Sequence, residues 1–155
     1  MRKIKEIACL IKADGGLNNP SSLYYDSRED ELYICDMGNS RVVKYLCKYE
    51  KLVDHQISSC ENHLIKPLAL TMDKEHRLHV TDVQRNSIFQ IQNGSFYELP
   101  LDLELNLPGS IAVDQDGGVY VSDFHHDRIL KWVYSNKSCV LEDIPCSQVY
   151  GIFYK

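Results

Sequence analysis

The chain has 155 residues, 44% hydrophobic and 25% charged, a composition of ordinary soluble globular proteins and a length sufficient to bury ~68–70% of the unfolded surface in one compact domain. Its 22 acidic residues outnumber 17 basic ones, for a formal charge of −5. No net positive field therefore gathers phosphates or anionic lipid, and non-specific nucleic-acid binding is disfavoured.

From the N-terminus, the charged segment Met1–Glu6 is followed by an apolar stretch of only Ile7–Ile11. A secretory core needs ~7–15 apolar residues and a spanning helix ~20, so neither is expected here. Residues 4–12 read instead as a single outer strand. Leu17-Asn-Asn-Pro20 then opens a unit: Asp26 follows, the apolar run Leu32-Tyr-Ile-Cys-Asp36 ends in a second Asp, and Asn39 and Arg41 lie just beyond. Cys47 and Cys60 flank the outer hairpin expected next. They read either as a facing disulfide or, in a reducing compartment, as small buried hydrophobes.

The same phrase returns as Leu64-Ile-Lys-Pro67 with Asp73, Leu78-His-Val-Thr-Asp82, and then Arg85, Asn86 and Ser87. Its third copy is Leu105-Asn-Leu-Pro108 with Asp114, Val119-Tyr-Val-Ser-Asp123, and then His125, His126 and Arg128. Four short strands resolve in this copy: Ser110–Asp114, Val119–Asp123, Arg128–Tyr134 and Cys139–Glu142. They carry the β-branched and aromatic enrichment of strands and are separated by turn residues such as Gly117-Gly118. Residues 149–155 read as the first strand of a further unit.

Asp26, Asp73 and Asp114 recur at the ~40–50-residue period of propeller blades, units that cannot bury their own faces alone. The expectation is an all-β fold, a β-propeller arc of four-stranded antiparallel blades at about residues 20–63, 67–104 and 108–145, with single strands at 4–12 and 149–155, all within one domain spanning 1–155. An outer strand at one end and an inner strand at the other do not complete one shared blade. Further blades or self-association are therefore expected, because bare faces and strand edges invite contact.

The segments Leu17–Pro20 to Arg41-Val-Val-Lys-Tyr45 and Leu105–Pro108 to Arg128-Ile-Leu-Lys-Trp132 resemble NHL repeats. The middle copy departs, with Ser87 where the others have Arg41 and Arg128. One branch of that group, the peptidyl-amidoglycolate lyases, is similar around Leu70-Thr-Met-Asp73 and Val80-Thr-Asp-Val83, and the resemblance implies zinc-binding histidines just after each lead-in proline. Ser21, Leu68 and Gly109 stand there instead, so no cofactor and no metal site are expected. The tripartite-motif branch implies RNA on a basic loop face, yet here Arg85, His125 and His126 face Asp127.

The repeated Asp36, Asp82 and Asp123, with Arg41 and Arg128, read as structural, since catalysis needs one copy of a group and not three. His76-x-x-His79 can be drawn as a metal pair, but His76 occupies the turn position of Gly117 and His79 the core position of Tyr33 and Tyr120. No catalytic residue is assigned: the chain has neither a phosphate-cradling glycine motif in strand-to-helix context nor a G-x-S-x-G elbow. The loops after Asp36, Asp82 and Asp123 share one end of the ring with the lead-ins, which makes Asn39, Arg85, Asn86, His125 and His126 the candidate binding residues. The reading is a non-catalytic recognition or scaffold module for a protein partner. The alternatives are a fragment of a lyase-like metalloenzyme and an RNA-binding domain, nucleic acid being disfavoured by charge. Six cysteines and the sequons Asn93-Gly-Ser and Asn136-Lys-Ser tilt the compartment towards extracellular, with cytoplasmic as the alternative.

Overall fold

The computed structural model describes residues 16–49, 51–54, 64–101, 103–135 and 138–145. The expected strands 4–12 and 149–155, Cys60 and Asn136 lie outside these. Among these residues, twelve strands form three antiparallel four-stranded meanders. The first blade contains β1 (Pro20–Asp26), β2 (Glu31–Asp36), β3 (Arg41–Leu46) and β4 (Lys51–Asp54). The second contains β5 (Pro67–Met72), β6 (Leu78–Asp82), β7 (Ser87–Gln92) and β8 (Ser95–Glu98). The third contains β9 (Pro108–Val113), β10 (Val119–Asp123), β11 (Arg128–Ser135) and β12 (Ser138–Pro145). Among the described residues no helix is long and apolar enough to cross a membrane.

The middle strands are covered on both faces. In β3 and β7 the apolar positions Val42, Val43, Tyr45 and Ile88, Phe89, Ile91 are buried between half-buried neighbours, and both β2 and β6 sit almost wholly inside. The cores lie between blades. Tyr33, Cys35 and Val42 of the first blade pack with Leu70, Leu78, Val80 and Phe89 of the second. Ile88 and Leu99 of the second pack with Ile111, Val121, Leu130 and Trp132 of the third. Each buried aliphatic or aromatic side chain of this kind contributes ~1.5–3 kcal/mol, so each blade draws its stability from its neighbour, as the period of the repeat implies. The first strands of successive blades, β1, β5 and β9, lie side by side.

Each first strand slips register by one residue just after its proline. The extra residues are Ser21 opposite Asp36–Cys35 and Leu68 opposite Asp82–Thr81, and a third falls between Pro108 and Ile111. Proline brings no N–H to the ladder, and a bulge absorbs the mismatch. The amides beyond the bulges are caught by hydroxyls: Ala69 N–H donates to Thr81 Oγ1 at 3.1 Å and Ser110 N–H to Ser122 Oγ at 2.8 Å.

Some boundaries differ from expectation. The first strand of the third blade begins at Pro108, not Ser110, because Pro108 pairs opposite Asp123. Its outer strand spans Ser138–Pro145 rather than Cys139–Glu142, since the pairing with β11 continues to Arg128. Cys47 is a free thiol, as is buried Cys35. Asn93 is exposed in the β7–β8 turn, where φ values of 48° at Asn93 and 78° at Gly94 suit the left-handed positions of a tight hairpin.

Candidate recognition face

The lead-in loops and the β2–β3, β6–β7 and β10–β11 connections meet on one rim of the blades, because each first strand leaves that rim and the next returns to it. The meeting is organised by Asp36, Asp82 and Asp123, each 0% exposed. Asp36 accepts hydrogen bonds from Asn18 N–H at 2.6 Å, Asn39 Nδ2 at 2.8 Å and Arg41 Nε at 2.7 Å. Asp123 pairs with Asn106 N–H at 2.6 Å, His126 Nδ1 at 2.8 Å and Arg128 Nε at 2.8 Å. In the second blade, where Ser87 replaces the arginine, Asp82 takes main-chain donors only: Ile65 at 2.6 Å, Lys66 at 3.2 Å, Gln84 at 3.0 Å and Arg85 at 3.1 Å. A buried carboxylate needs such donors to remain ionised.

The last residue of each of these connections is left-handed: Ser40 at φ 56°, Asn86 at 52° and Asp127 at 49°. Two of them tie one blade to the next. Ser40 Oγ donates to Ile65 O at 2.7 Å, and Asn86 Oδ1 accepts from Leu107 N–H at 3.0 Å.

The five candidate binding residues thus occupy different settings. Asn39 and His126 are exposed but bound to Asp36 and Asp123, and Asn86 is bound to the third lead-in. His125 is exposed, with its ring 5.6 Å from that of Phe124. Arg85 is half-buried, its guanidinium 5.8 Å from the Phe89 ring centre, and its buried Nε has no hydrogen-bond partner among the described residues. Among the described residues it forms no ion pair. Spacing alone did not single out three further residues of the rim, the apolar Ile65, Leu103 and Leu107, which are 37%, 40% and 40% exposed. Leu107 stands in the left-handed region at φ 58°, where the first lead-in places Asn19 at φ 52°. That alignment, with asparagine in one copy and leucine in the other, was the available signal.

On the opposite rim, His76 and His79 go to separate carboxylates. His79 Nε2 lies 3.0 Å from Asp73 Oδ2, while His76 Nδ1 lies 3.3 Å from Asp26 Oδ2 across the blade interface. His76 holds φ 60° where the third blade has Gly117 at φ 86°. Burial works against ionisation of Asp73, but hydrogen bonds from His79 and from the Arg77 main chain and side chain outweigh it and bring its pKa down to about 2. Burial raises the Cys35 thiol far above its ordinary range, which makes it a packing group and not a nucleophile. After the lead-in prolines, Ser21 Oγ donates to Leu68 O at 2.7 Å, and a Cβ at Gly109 would meet Ser122 Oγ at 2.8 Å. Among the described residues no three His, Cys, Asp or Glu side chains gather as metal ligands.

Residues 105–132 match the NHL repeat family model. No curated protein matches the sequence. Among solved structures, a streptogramin B lyase is 20% identical over 83% of this chain and 41% of its own, with a TM-score of 0.67. Virginiamycin B lyase from Staphylococcus aureus is 16% identical over 86% of this chain and 44% of its own, with a TM-score of 0.67. A chain of a nidogen/laminin complex is 18% identical over 90% of this chain and 53% of its own, with a TM-score of 0.73. At such identities the likeness establishes the β-propeller fold, and this chain spans about two fifths to half of these structures.

Proposed function

For a chain that carries an NHL repeat and folds as β-propeller blades, we propose a non-catalytic recognition module that binds a protein partner through the rim formed by the lead-in loops and the connections after Asp36, Asp82 and Asp123. Leu107 is the observation that carries this reading. A leucine in the left-handed region costs of order 1 kcal/mol, and this one is 40% exposed, so the fold bears backbone strain for a leucine it only partly buries. Ile65 and Leu103 are likewise exposed on this rim, and His125 and Arg85 stand there too. Exposed apolar groups framed by polar ones are what protein interfaces use.

Two observations weigh against the alternatives. Gly109 has no room for a histidine while Ser122 keeps its place, and Ser21 is engaged with the second blade, which disfavours a lyase-type metal site. A formal charge of −5, with Glu104 and Asp127 near the basic groups, disfavours RNA, and a filter-binding titration against salt would show it as weak or absent binding. The partners include further blades, from a longer chain or from a second copy, because the inter-blade cores make each blade depend on its neighbour.

Selection of peptides from a displayed library, followed by Leu107→Asn, tests the proposal. Asparagine suits the left-handed backbone, so the variant is expected to melt no lower than wild type, with a gain of ~0.5–1 kcal/mol, while the selected peptides bind about tenfold more weakly. Unchanged peptide affinity in a stable Leu107→Asn protein would remove the rim from the interface.

A further inference from the structure

Between the second and third blades, on this same rim, a cleft of about 410 Å³ is lined by Arg85, Ser87, Glu98, Leu101, Leu103 and Glu104 among others. Its origin is the departure of the second blade from the repeat. With Ser87 in the place of Arg41 and Arg128, Asp82 is satisfied by main-chain N–H groups, and the arginine of that loop sits two residues earlier, where its side chain does not serve the strand-end carboxylate. Arg85 lies over Phe89, and among the described residues its covered Nε has no hydrogen-bond partner and its guanidinium no ion pair. The terminal nitrogens of that guanidinium are the atoms an incoming oxyanion would meet, in a charge-assisted pair.

We propose that this cleft receives an acidic side chain of the partner polypeptide and that Arg85 is the group that selects it; the inference rests on the rim being the recognition face. A polypeptide is favoured over a small acid because Leu101 and Leu103 extend the cleft with apolar wall. The two acidic residues lining it refine the class further. Glu98 accepts a hydrogen bond from Ser87 Oγ, and both Glu98 and Glu104 are exposed. Among the described lining residues, Arg85 is the one cation and Glu98 and Glu104 are the two acids. Complementarity is met by an extended segment whose Asp or Glu enters towards Arg85 and whose neighbouring Lys or Arg lies against Glu98 and Glu104.

The test is a double-mutant cycle on the 155-residue chain, using acetylated and amidated peptides selected from a displayed library. Acidic residues next to basic ones are expected to be enriched. Changing the acid of a selected peptide to its amide should weaken binding to wild type about tenfold, and the same change should have no effect on Arg85→Gln. Arg85→Lys keeps the charge without the fork, and should retain part of the preference. An equal penalty in wild type and Arg85→Gln, or a selection with no acidic preference, overturns the inference. Peptides that are sensitive to Leu107→Asn and indifferent to Arg85→Gln would sink the cleft while leaving the rim as the interface; peptides indifferent to both would sink the two readings together.

Discussion

The second and third blades hold equivalent buried carboxylates by different means. In the third, a single 3-10 turn, Phe124–His126, follows Asp123, and the carboxylate is gripped by the side chains of His126 and Arg128. In the second, the connection 83–86 is an ordinary turn that folds the Gln84 and Arg85 amides back onto Asp82. Both arrangements also take an amide from the lead-in, Ile65 in one and Asn106 in the other. What a buried carboxylate requires is therefore donors, not a particular residue, and the lead-in amide is the common element. The side-chain donors are interchangeable with main-chain ones, and where the main chain takes over, Arg85, at the position of Asn39 and His126, brings only its N–H to the carboxylate.

The comparison would break most visibly if the carboxylates themselves were dispensable. Asp123→Ala removes the buried carboxylate that Arg128, only 18% exposed at its side chain, holds at 2.8 Å, and should cost about 3 kcal/mol. Asp82→Ala strands the amides of Ile65, Lys66, Gln84 and Arg85, and should cost ~2–3 kcal/mol by the loss of several hydrogen bonds in a buried place. Chemical denaturation of both variants against wild type measures this. Full stability of Asp82→Ala would show that main-chain donors do not need the carboxylate, and the equivalence of the two arrangements would fall.

The opposite rim of the second blade sharpens the contrast, because there a side-chain pair and main-chain amides act on one carboxylate together. Asp73 titrates near 2 in the fold against an ordinary value near 3.9 in an unfolded chain. Its folded pKa is depressed, so its contribution is fully present above pH ~4 and is lost as pH falls through ~2. That difference amounts to roughly 2–3 kcal/mol. Asp73→Asn should lower stability at neutral pH and flatten the dependence between pH ~4 and ~2. A variant with the same acid slope as wild type would place that slope on other carboxylates.

Much of this was legible before any coordinates. The strand Val119–Asp123 follows from alternating apolar residues after the Gly117-Gly118 turn, and His79 could be placed in the core because Tyr33 and Tyr120 stand at its position. The partners of the strand-end carboxylates were less accessible. Asn39 and His126 sit three residues after Asp36 and Asp123, and exposure makes them candidates for a ligand; only the 3-10 turns carry them back to the carboxylates. A turn type depends on a few dihedral angles that composition does not specify. The bulges after the prolines were invisible for the same reason, although the missing proline N–H was a hint. The open guanidinium of Arg85 needed both the loss of arginine at Ser87 and the course of the 83–86 turn, and the sequence displays only the first.

The smallest predicted effect divides the two arginines. Arg128→Gln removes one of the donors that hold Asp123, while Asn106 N–H and His126 remain, so it should cost ~1–2 kcal/mol, the scale of one charge-assisted hydrogen bond. Arg85→Gln removes a guanidinium that pairs with no carboxylate among the described residues, and leaves its main-chain bond to Asp82 in place. Its effect should stay within ~0.5 kcal/mol of wild type, the loss of contact over Phe89 being offset by relief of a buried, unpartnered N–H. Thermal melts of the two variants under identical conditions give the difference directly. Equal losses for Arg85→Gln and Arg128→Gln would mean that Arg85 is a structural donor like its counterpart, and the second blade would then hold no arginine free to recognise anything.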